Sequence, residues 1–471
     1  MTLRAALFLL PLSLQAQTYD TVLANGRVMD PESGLDAIRY IGIRGKQIAA
    51  ISAAPLQGRT VVDVRGLVVA PGFIDLHSHG QDDENYHFKA HDGVTTALEL
   101  EIGVSPVAPW YQSREGKALI NFGASSGHVP AKMAVLHDTG DFLPRDHAVH
   151  DMATDEQKLS IVNAVRQGLD DGALGIGFGI AYVPSTTREE ILRLFQLGSD
   201  RHVPVFVHMR GNTGLPEDGA IPSVQEVVAD AAATGVSLHI VHITSSGGKQ
   251  TANCLKIIEG AQKHGLGVTT EMYPYTASAT RIESALFDEG WQQRTGLRYD
   301  QLQWTATGER LTAETFAKYR KQGGSVISHG MSEETVRLAV ANPIVMIASD
   351  GRMANGKGHP RSAGTFSRVL GVYVREQKAL PLMDALRKMT LMPARRLEAS
   401  VPAMRNKGRI KIGADADIVV FNPDKIIDRA TFENAAQYSE GIEHVMVAGA
   451  FVLRNGNFVN GVYPGTGLRT K

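Results

Sequence analysis

The sequence predicts an α/β protein: a (β/α)8, TIM-like barrel with a small β-sandwich domain built from both chain ends. Three observations predict it. Short β-rich runs alternate with helical stretches from about residue 70 to residue 400. Segments of short strands and Gly, Asn and Pro turns flank this region on both sides. Metal-ligating side chains stand at the ends of several central runs, where the active sites of such barrels lie.

Eight central runs alternate with helical stretches, which is the repeat of a closed parallel barrel. In chain order they are FIDLHSH, TTALELEIG, ALINFGA, GALGIGFGI, VPVFVHM, SLHIVHI, VTTEMYPY and VMIASD. Three helix starts carry a Ser or Thr followed three residues later by Gln or Glu, the signature of a capping box. These pairs are Thr154 with Gln157, Thr187 with Glu190, and Ser223 with Glu226.

The flanking segments define the predicted domain organisation. Residues 69–399 form the barrel, and residues 17–68 and 400–471 pair into the small sandwich. Chain ends that meet in one small domain are physically reasonable, because termini usually lie close together at the surface.

The first residues, MTLRAALFLLPLSLQAQ, have the order of a secretory signal. Arg4 precedes a short apolar run, and the small residue Ala16 follows it. The run is too short to span a bilayer. We expect cleavage after Ala16, so that residues 1–16 are a signal peptide and the mature protein is secreted or periplasmic.

Composition limits the partners. The chain has 471 residues, 43% of them hydrophobic, and a formal net charge of −1. The absence of a basic surplus argues against nucleic acid or an anionic membrane as a partner. The only cysteine, Cys254, excludes an intrachain disulfide. We therefore expect neither nucleic acid nor a membrane as a partner. The motifs described next indicate a small-molecule substrate, and the sequence does not predict the oligomeric state.

The stretch PGFIDLHSHG raises the question of a metal site. His77 and His79 are two residues apart, so they share one face of the first strand and can chelate one ion. Glu99 and Glu101 share a face at the end of the second strand. Glu101 is nearer the barrel mouth, so we favour it as the ligand. It would either bridge two ions or neutralise the charge of a single one.

Three later strand ends carry further candidate ligands. His208 ends strand five, His242 ends strand six and Asp350 ends strand eight. His239 lies three residues before His242, so it faces the opposite side of the strand. Four imidazoles and two carboxylates are a ligand set for zinc or a similar divalent ion. The sequence predicts one or two such ions.

Several stretches together resemble the amidohydrolase superfamily, and within it the N-acyl-D-amino-acid deacylase (D-aminoacylase) branch. The resemblance covers nearly the whole chain after the signal. The stretches are PGFIDLHSHG, GVTTALELEIG, GALGIGFGIAYVP, VFVHMRG, IVHITSSG, MYPYTA, IASDG, GHPRSAGTFSRVLG and MTLMPARRLEASVPAMRNKGRIKIGADADIVVFNP.

The resemblance implies roles for the candidate residues. His77, His79 and Asp350 would hold one ion, His208 and His242 would hold the other, and Asp350 would be the general base. Tyr275 and Arg361 match residues that bind the α-carboxylate of the substrate.

Two positions depart from the branch. It usually has a Cys ligand at the end of strand two, where Ile102 stands here beside Glu101. It also often has a Lys at the position of Thr244.

The expected chemistry is hydrolysis of an amide of an N-acyl amino acid, with D configuration implied by the resemblance. The planar guanidinium of Arg361 suits a bidentate grip on a carboxylate. Tyr273 or Tyr275 would help to stabilise the oxyanion. His359 precedes a proline on the loop that leads to Arg361, and we expect it to support the substrate site from there. The alternatives are a dipeptidase or cyclic-amide hydrolase of the same superfamily and a barrel that only binds ligands.

Overall fold

The computed structural model describes residues 18–211 and 219–470. The predicted signal peptide lies outside them. The strands are β1 (Tyr19–Asp30), β2 (Leu35–Arg44), β3 (Gln47–Ser52), β4 (Gly58–Asp63), β5 (Val68–Pro71), β6 (Phe73–Asp75), β7 (Val94–Val104), β8 (Asn121–Gly127), β9 (Ile176–Gly179), β10 (Val205–His208), β11 (Leu238–Ile240), β12 (Val268–Met272), β13 (Ser278–Arg281), β14 (Leu302–Trp304), β15 (Ser325–Ser328), β16 (Val345–Ile347), β17 (Met353–Ala354), β18 (Lys357–Gly358), β19 (Ile418–Phe421), β20 (Ile442–Val447), β21 (Ala450–Arg454) and β22 (Asn457–Phe458).

The helices mostly cover the outer face of the barrel. They are α1 (Asp83–His91), α2 (Val107–Gln112), α3 (His128–Leu136), α4 (His147–His150), α5 (Asp155–Asp170), α6 (Arg188–Asp200), α7 (Ala220–Thr234), α8 (Ile243–Gly247), α9 (Thr251–Lys263), α10 (Trp291–Thr295), α11 (Ala313–Gln322), α12 (Glu333–Ala341), α13 (Arg361–Arg368), α14 (Leu382–Met389) and α15 (Leu391–Leu397). A π-helical segment, Val369–Glu376, continues α13.

Eight parallel strands form the barrel, in the order β16-β12-β11-β10-β9-β8-β7-β6. Each corresponds to one of the eight runs read from the sequence, so the predicted fold class is confirmed. The cylinder closes just beyond the ends of β6 and β16, where Ser78 pairs with Gly351 in a parallel bridge. The Asp350 amide also donates to the His77 carbonyl over 2.7 Å. Closure therefore brings the first and last candidate ligands side by side.

Two of the three predicted helix starts agree with the structure. Thr154 caps α5 in a full capping box, and the Thr187 side chain accepts from the backbone N–H of Glu190 at the start of α6. The start predicted at Ser223 is wrong, because α7 already begins at Ala220. The Ser223 hydroxyl instead donates to the Gly219 carbonyl and accepts from the Gly211 amide. It ties the helix to the end of β10.

Strands from both chain ends form one nine-stranded sheet beside the barrel. Its order is β22-β21-β20-β19-β5-β1-β2-β3, with β4 paired to β1. The link between the two ends is the antiparallel pair β5 and β19. The last described residues leave this sheet, and Gly467 pairs with Phe122 of the barrel strand β8.

A third sheet, which the sequence did not predict, lies between barrel strands β12 and β16. It has the order β13-β15-β14 and its own aromatic core. This core contains Phe287, Trp291, Trp304, Phe316 and Tyr319. The insertion contributes walls to the cavity described below.

A buried charge cluster joins the nine-stranded sheet to the barrel. Lys407 lies 2.7 Å from Asp417 Oδ2 and 3.0 Å from Asp415 Oδ2. Asp417 also accepts from the side chain of Asn121, the first residue of β8, and its carbonyl accepts from the Gly72 amide before β6.

The Lys407→Met variant is expected to lose about 3–5 kcal/mol of stability, because it leaves the Asp417 carboxylate buried without its cation. Denaturant unfolding followed by circular dichroism measures this loss. Lys411→Met is the matched control: Lys411 pairs with Glu32 at an exposed position, so its loss is expected to cost only about 0–1 kcal/mol. Equal midpoints for the two variants would contradict the prediction.

Every helix within residues 18–211 and 219–470 is too short or too polar to cross a membrane.

Candidate metal centre and substrate cavities

The ends of five barrel strands bring the six predicted ligands together at one mouth of the cylinder. Two groups of three residues each place one ligand atom per residue within 4.8 Å of one another. The first group is His77, His79 and Glu101. The second is Glu101, His208 and His242. Glu101 belongs to both.

The first group comes from strands one and two. The Nε2 atoms of His77 and His79 lie 3.1 Å apart. Glu101 Oε2 is 3.2 Å from His77 Nε2 and 3.1 Å from His79 Nε2. Asp350 Oδ1 completes this group at 3.5 and 3.3 Å from the same two nitrogens. Ligand atoms bound at about 2.0–2.2 Å to one tetrahedral ion lie roughly 3.3–3.6 Å apart, so the spacing suits zinc.

The second group comes from strands two, five and six. Glu101 Oε1 is 2.7 Å from His208 Nδ1 and 3.0 Å from His242 Nε2. The two histidine nitrogens are themselves 3.0 Å apart. One oxygen of Glu101 therefore faces each histidine pair, which is the arrangement of a carboxylate that bridges two ions.

Carboxylates behind the first histidine pair fix the orientation of both rings. His77 Nδ1 is 2.9 Å from Glu271 Oε1, and His79 Nδ1 is 2.9 Å from Glu99 Oε2. A proton on each Nδ1 leaves the lone pair of Nε2 facing the centre. Such partners commonly orient metal-binding histidines and raise their basicity.

The charges of the centre favour a bound cation. Burial alone would lower the pKa of His77, but the carboxylates of Asp350 and Glu101 outweigh it and raise the pKa to about 10. Burial alone would also lower the pKa of His79. The carboxylates of Glu99, Asp350 and Glu101 outweigh burial, so this pKa is raised well above 6.5. The carboxylates thus attract protons onto the imidazoles, and a divalent cation would replace those protons. The donor set fits zinc.

Asp350 occupies a strained position at the edge of the centre. Its φ of +52° is unusual for a residue other than glycine. Its Oδ2 lies 2.9 Å from Nη1 of Arg361, whereas its Oδ1 faces His77 and His79. Burial alone would raise the pKa of Asp350, but Arg361 and His77 hold it below its ordinary value. The carboxylate is therefore ionised at neutral pH.

Two cavities open beside the centre and meet at Tyr182, Thr280 and Asp350. The smaller has a volume of about 150 Å³ and is lined by His79, Phe142, His359 and Arg361, among others. The larger, of about 370 Å³, is lined by His208, His242, Lys249, Leu286 and Arg294, among others. A substrate bound across the junction would therefore place one of its chemical groups in the smaller cavity and another in the larger one.

Comparison with known proteins gives the family. The model of the amidohydrolase family matches residues 133–453. An N-acyl-D-glutamate deacylase of Alcaligenes xylosoxydans xylosoxydans is 30% identical over 92% of this chain and 93% of its own length. The chain belongs to the amidohydrolase family.

Two further relatives agree with this assignment. A D-aminoacylase of the same organism is 29% identical to this amidohydrolase over 94% of the chain and 96% of the relative. The crystal structure of N-acyl-D-glutamate deacylase from Bordetella bronchiseptica, complexed with zinc and a phosphonate mimic of the tetrahedral intermediate, has a TM-score of 0.80. It is 25% identical, and the match covers 96% of this chain and 100% of that one. The resemblance stated from the sequence is confirmed.

Of the four predicted substrate-binding residues of this amidohydrolase, two line one of the two cavities and the two tyrosines line neither. Arg361 and His359 line the smaller cavity. The Arg361 guanidinium lies over the ring of Tyr273, 4.4 Å from its centroid, and the Tyr273 hydroxyl makes no hydrogen bond to a described residue. Tyr275 lines neither cavity, since its hydroxyl donates to Asp428 over 3.1 Å. Its role at the carboxylate stays a prediction.

The ring of His359 makes two hydrogen bonds to the backbone. Its Nδ1 accepts from the Arg361 amide, and its Nε2 donates to the Ala277 carbonyl, each over 3.0 Å. The Ala277 contact thus anchors the ring, and the ring in turn holds the backbone of Arg361.

Two residues at the centre were missed by the sequence reasoning. Glu271 is the last residue but one of strand seven, so a search for ligand-type residues near every strand end would have found it. Tyr182 follows strand four and lines both cavities, with its ring 4.8 Å from that of His208. No spacing signal marked Tyr182. Ile102 stands where the deacylase branch usually has its Cys ligand. It is buried against the side chains of α3 and lines the smaller cavity. The neighbouring residue, Glu101, faces the histidines instead.

Proposed function

We propose that this amidohydrolase hydrolyses the amide bond of N-acyl-D-amino acids and uses zinc at the paired histidine groups. The observation that carries the substrate class is the buried guanidinium of Arg361. Only 3% of this residue is exposed, its Nε donates to no described residue, and it lines a cavity beside the ligand cluster. A planar cation in that position suits a substrate carboxylate. The named activities of the relatives support the same class.

The residues of the chain supply binding and proton transfer. Zinc, when bound, polarises the scissile carbonyl and makes water nucleophilic at neutral pH. Arg361 binds the α-carboxylate and so places the amide at the junction of the cavities, next to Asp350. Asp350 accepts the proton of the attacking water and returns it to the leaving nitrogen.

Two tyrosines beside Arg361 and the cavity junction stay neutral. Burial raises the pKa of Tyr182 and of Tyr273 above the ordinary value of 10, so both hydroxyls keep their protons. Tyr182, at the junction, can donate to the oxygen that gains negative charge. Phe142 and Leu286 contribute apolar walls that help to exclude water.

The test is a panel of substrates with zinc-loaded protein. N-acetyl-D-glutamate comes first, because Lys249 and Arg294 place two cations on the larger cavity. We expect turnover of N-acyl-D-amino acids with kcat/KM about 10²-fold above that of their L enantiomers. The matched control is the N-acetyl-D-amino acid α-amide, which keeps the scissile N-acetyl bond but lacks the α-carboxylate and is expected to react poorly. Turnover of dipeptides or hydantoins in place of all N-acyl-D-amino acids would overturn the proposal.

We further propose that the enzyme is exported, on the basis of residues 1–16 alone. Mass spectrometry of the mature protein tests this, with Gln17 as the expected first residue.

A further inference from the structure

Glu271 is a fully buried carboxylate behind the candidate metal centre. It stands on β12, the seventh strand of the barrel, and none of it is exposed. Its Oε1 lies 2.9 Å from Nδ1 of His77 and accepts from the backbone N–H of His242 over 2.8 Å. Its Oε2 has no hydrogen-bond partner among the described residues. One oxygen therefore contacts a member of each histidine pair.

The two contacts act on different properties of the ligands. The contact with His77 is made to the ring, so it fixes the tautomer and the ring orientation. The contact with His242 is made to the backbone. His242 has φ +32° and ψ +56°, a left-handed conformation that few residues other than glycine adopt. The Glu271 oxygen thus helps to hold His242 in the conformation that aims its ring at Glu101.

We propose that Glu271 is a positioning residue for both ion positions at once. The proposal rests on the proposed function only through the metal centre, since it concerns no substrate contact. Glu101 would connect the two ion positions directly, as a ligand that both share. Glu271 connects them indirectly, through its contacts with the His77 ring and the His242 backbone, so a displacement of its side chain shifts both histidines.

Glu99 provides a matched comparison within the same centre. It is also a buried carboxylate, and its two oxygens lie 3.1 and 2.9 Å from Nδ1 of His79. Both of these contacts go to the first histidine pair. Loss of Glu99 is therefore expected to disturb only the position formed by His77 and His79.

The test is a zinc titration of metal-free protein by calorimetry and by competition with a chromophoric chelator. We expect two binding steps for the unchanged protein. In Glu271→Ala both steps weaken, each by about 10–100-fold, the usual effect of removing a partner of a metal ligand. In Glu99→Ala only one step weakens.

Glu271→Gln separates the two contacts. Its amide oxygen can still accept from the His242 backbone, but a neutral group no longer raises the basicity of the His77 ring. We expect one weakened step and one step restored to within about threefold of the unchanged protein. The absorption of bound Co²⁺ gives an independent signature of each position.

The outcomes distinguish the alternatives. Circular dichroism of each metal-free variant establishes that it folds. If Glu271→Ala does not fold, Glu271→Asp carries the test, because its shorter side chain withdraws the oxygen from both contacts and should weaken both steps. Unchanged affinity in Glu271→Gln, or a single weakened step in a folded Glu271→Ala, would overturn the proposal. Failure of the substrate panel would leave these titrations unaffected, so the two proposals can fail separately.

Discussion

The Asp350→Asn variant is expected to turn over substrate about 10²–10⁴-fold more slowly than the unchanged protein, because an amide cannot accept the proton of the attacking water. The geometry gives Asp350 this role. Its Oδ1 faces His77 and His79, whereas its Oδ2 contacts Arg361 on the side of the substrate cavity. Asn has nearly the same shape, so it keeps the packing. The measurement is kcat at saturating substrate and zinc.

The pKa of Asp350 determines the pH range in which this variant can be compared with the unchanged protein. Burial would raise this pKa, but Arg361 and His77 lower it below the ordinary value of 3.8. Asp350 is therefore fully ionised from pH 7 to pH 8. Activity is expected to be lost through protonation of Asp350 only below about pH 4. A difference in kcat measured near neutral pH thus reports the missing proton acceptor.

Two comparisons keep the Asp350 prediction falsifiable. Metal analysis of Asp350→Asn is expected to find zinc still bound at the second group, which Asp350 does not complete. Asp350→Glu retains a proton acceptor and should recover part of the lost rate. If Asp350→Asn with bound zinc kept more than about one tenth of the activity, Asp350 would not be the general base.

The barrel could be predicted from the sequence because each of its strands follows a repeated pattern. A short apolar run, a polar strand end and a helical stretch recur eight times, and β6 to β12 with β16 follow that order. The same strand ends carry most of the ligands. The three-stranded insertion of residues 278–328 could not be predicted in this way, since its pairing joins segments that are far apart along the chain.

Sequence spacing could not orient the two tyrosines that follow strand seven. β12 ends at Met272, so the period of two that orders a strand no longer applies to Tyr273 and Tyr275. The structure turns Tyr273 toward Arg361 and Tyr275 toward Asp428. Parity also could not separate Glu99 from Glu101, because both face the mouth. Their contacts separate them. Glu101 lies within 3.2 Å of four imidazoles, whereas the Glu99 carboxylate contacts the Nδ1 side of the His79 ring, away from the centre.

The Glu101→Ala variant is expected to lose the ability to hold two ions. Glu101 Oε2 lies 3.1–3.2 Å from the first histidine pair, and its Oε1 lies 2.7–3.0 Å from the second. Without it, two doubly charged ions would approach each other with no shared anion between them. We expect zinc content to fall from two ions to one or fewer, and the weaker position to lose more than the 10–100-fold typical of an outer partner.

Glu101→Gln separates the charge of this side chain from its shape. Burial would raise the pKa of Glu101, but His77 and hydrogen bonds from His208 and His242 hold it well below 4.5. The native group is therefore an anion at any pH of assay, and the amide replaces it with a neutral group of equal size. If a bridging anion is what holds the second ion, Glu101→Gln should bind one ion, as Glu101→Ala does. Two zinc ions of native affinity in either variant would show that the histidine pairs bind them independently and that Glu101 only neutralises charge.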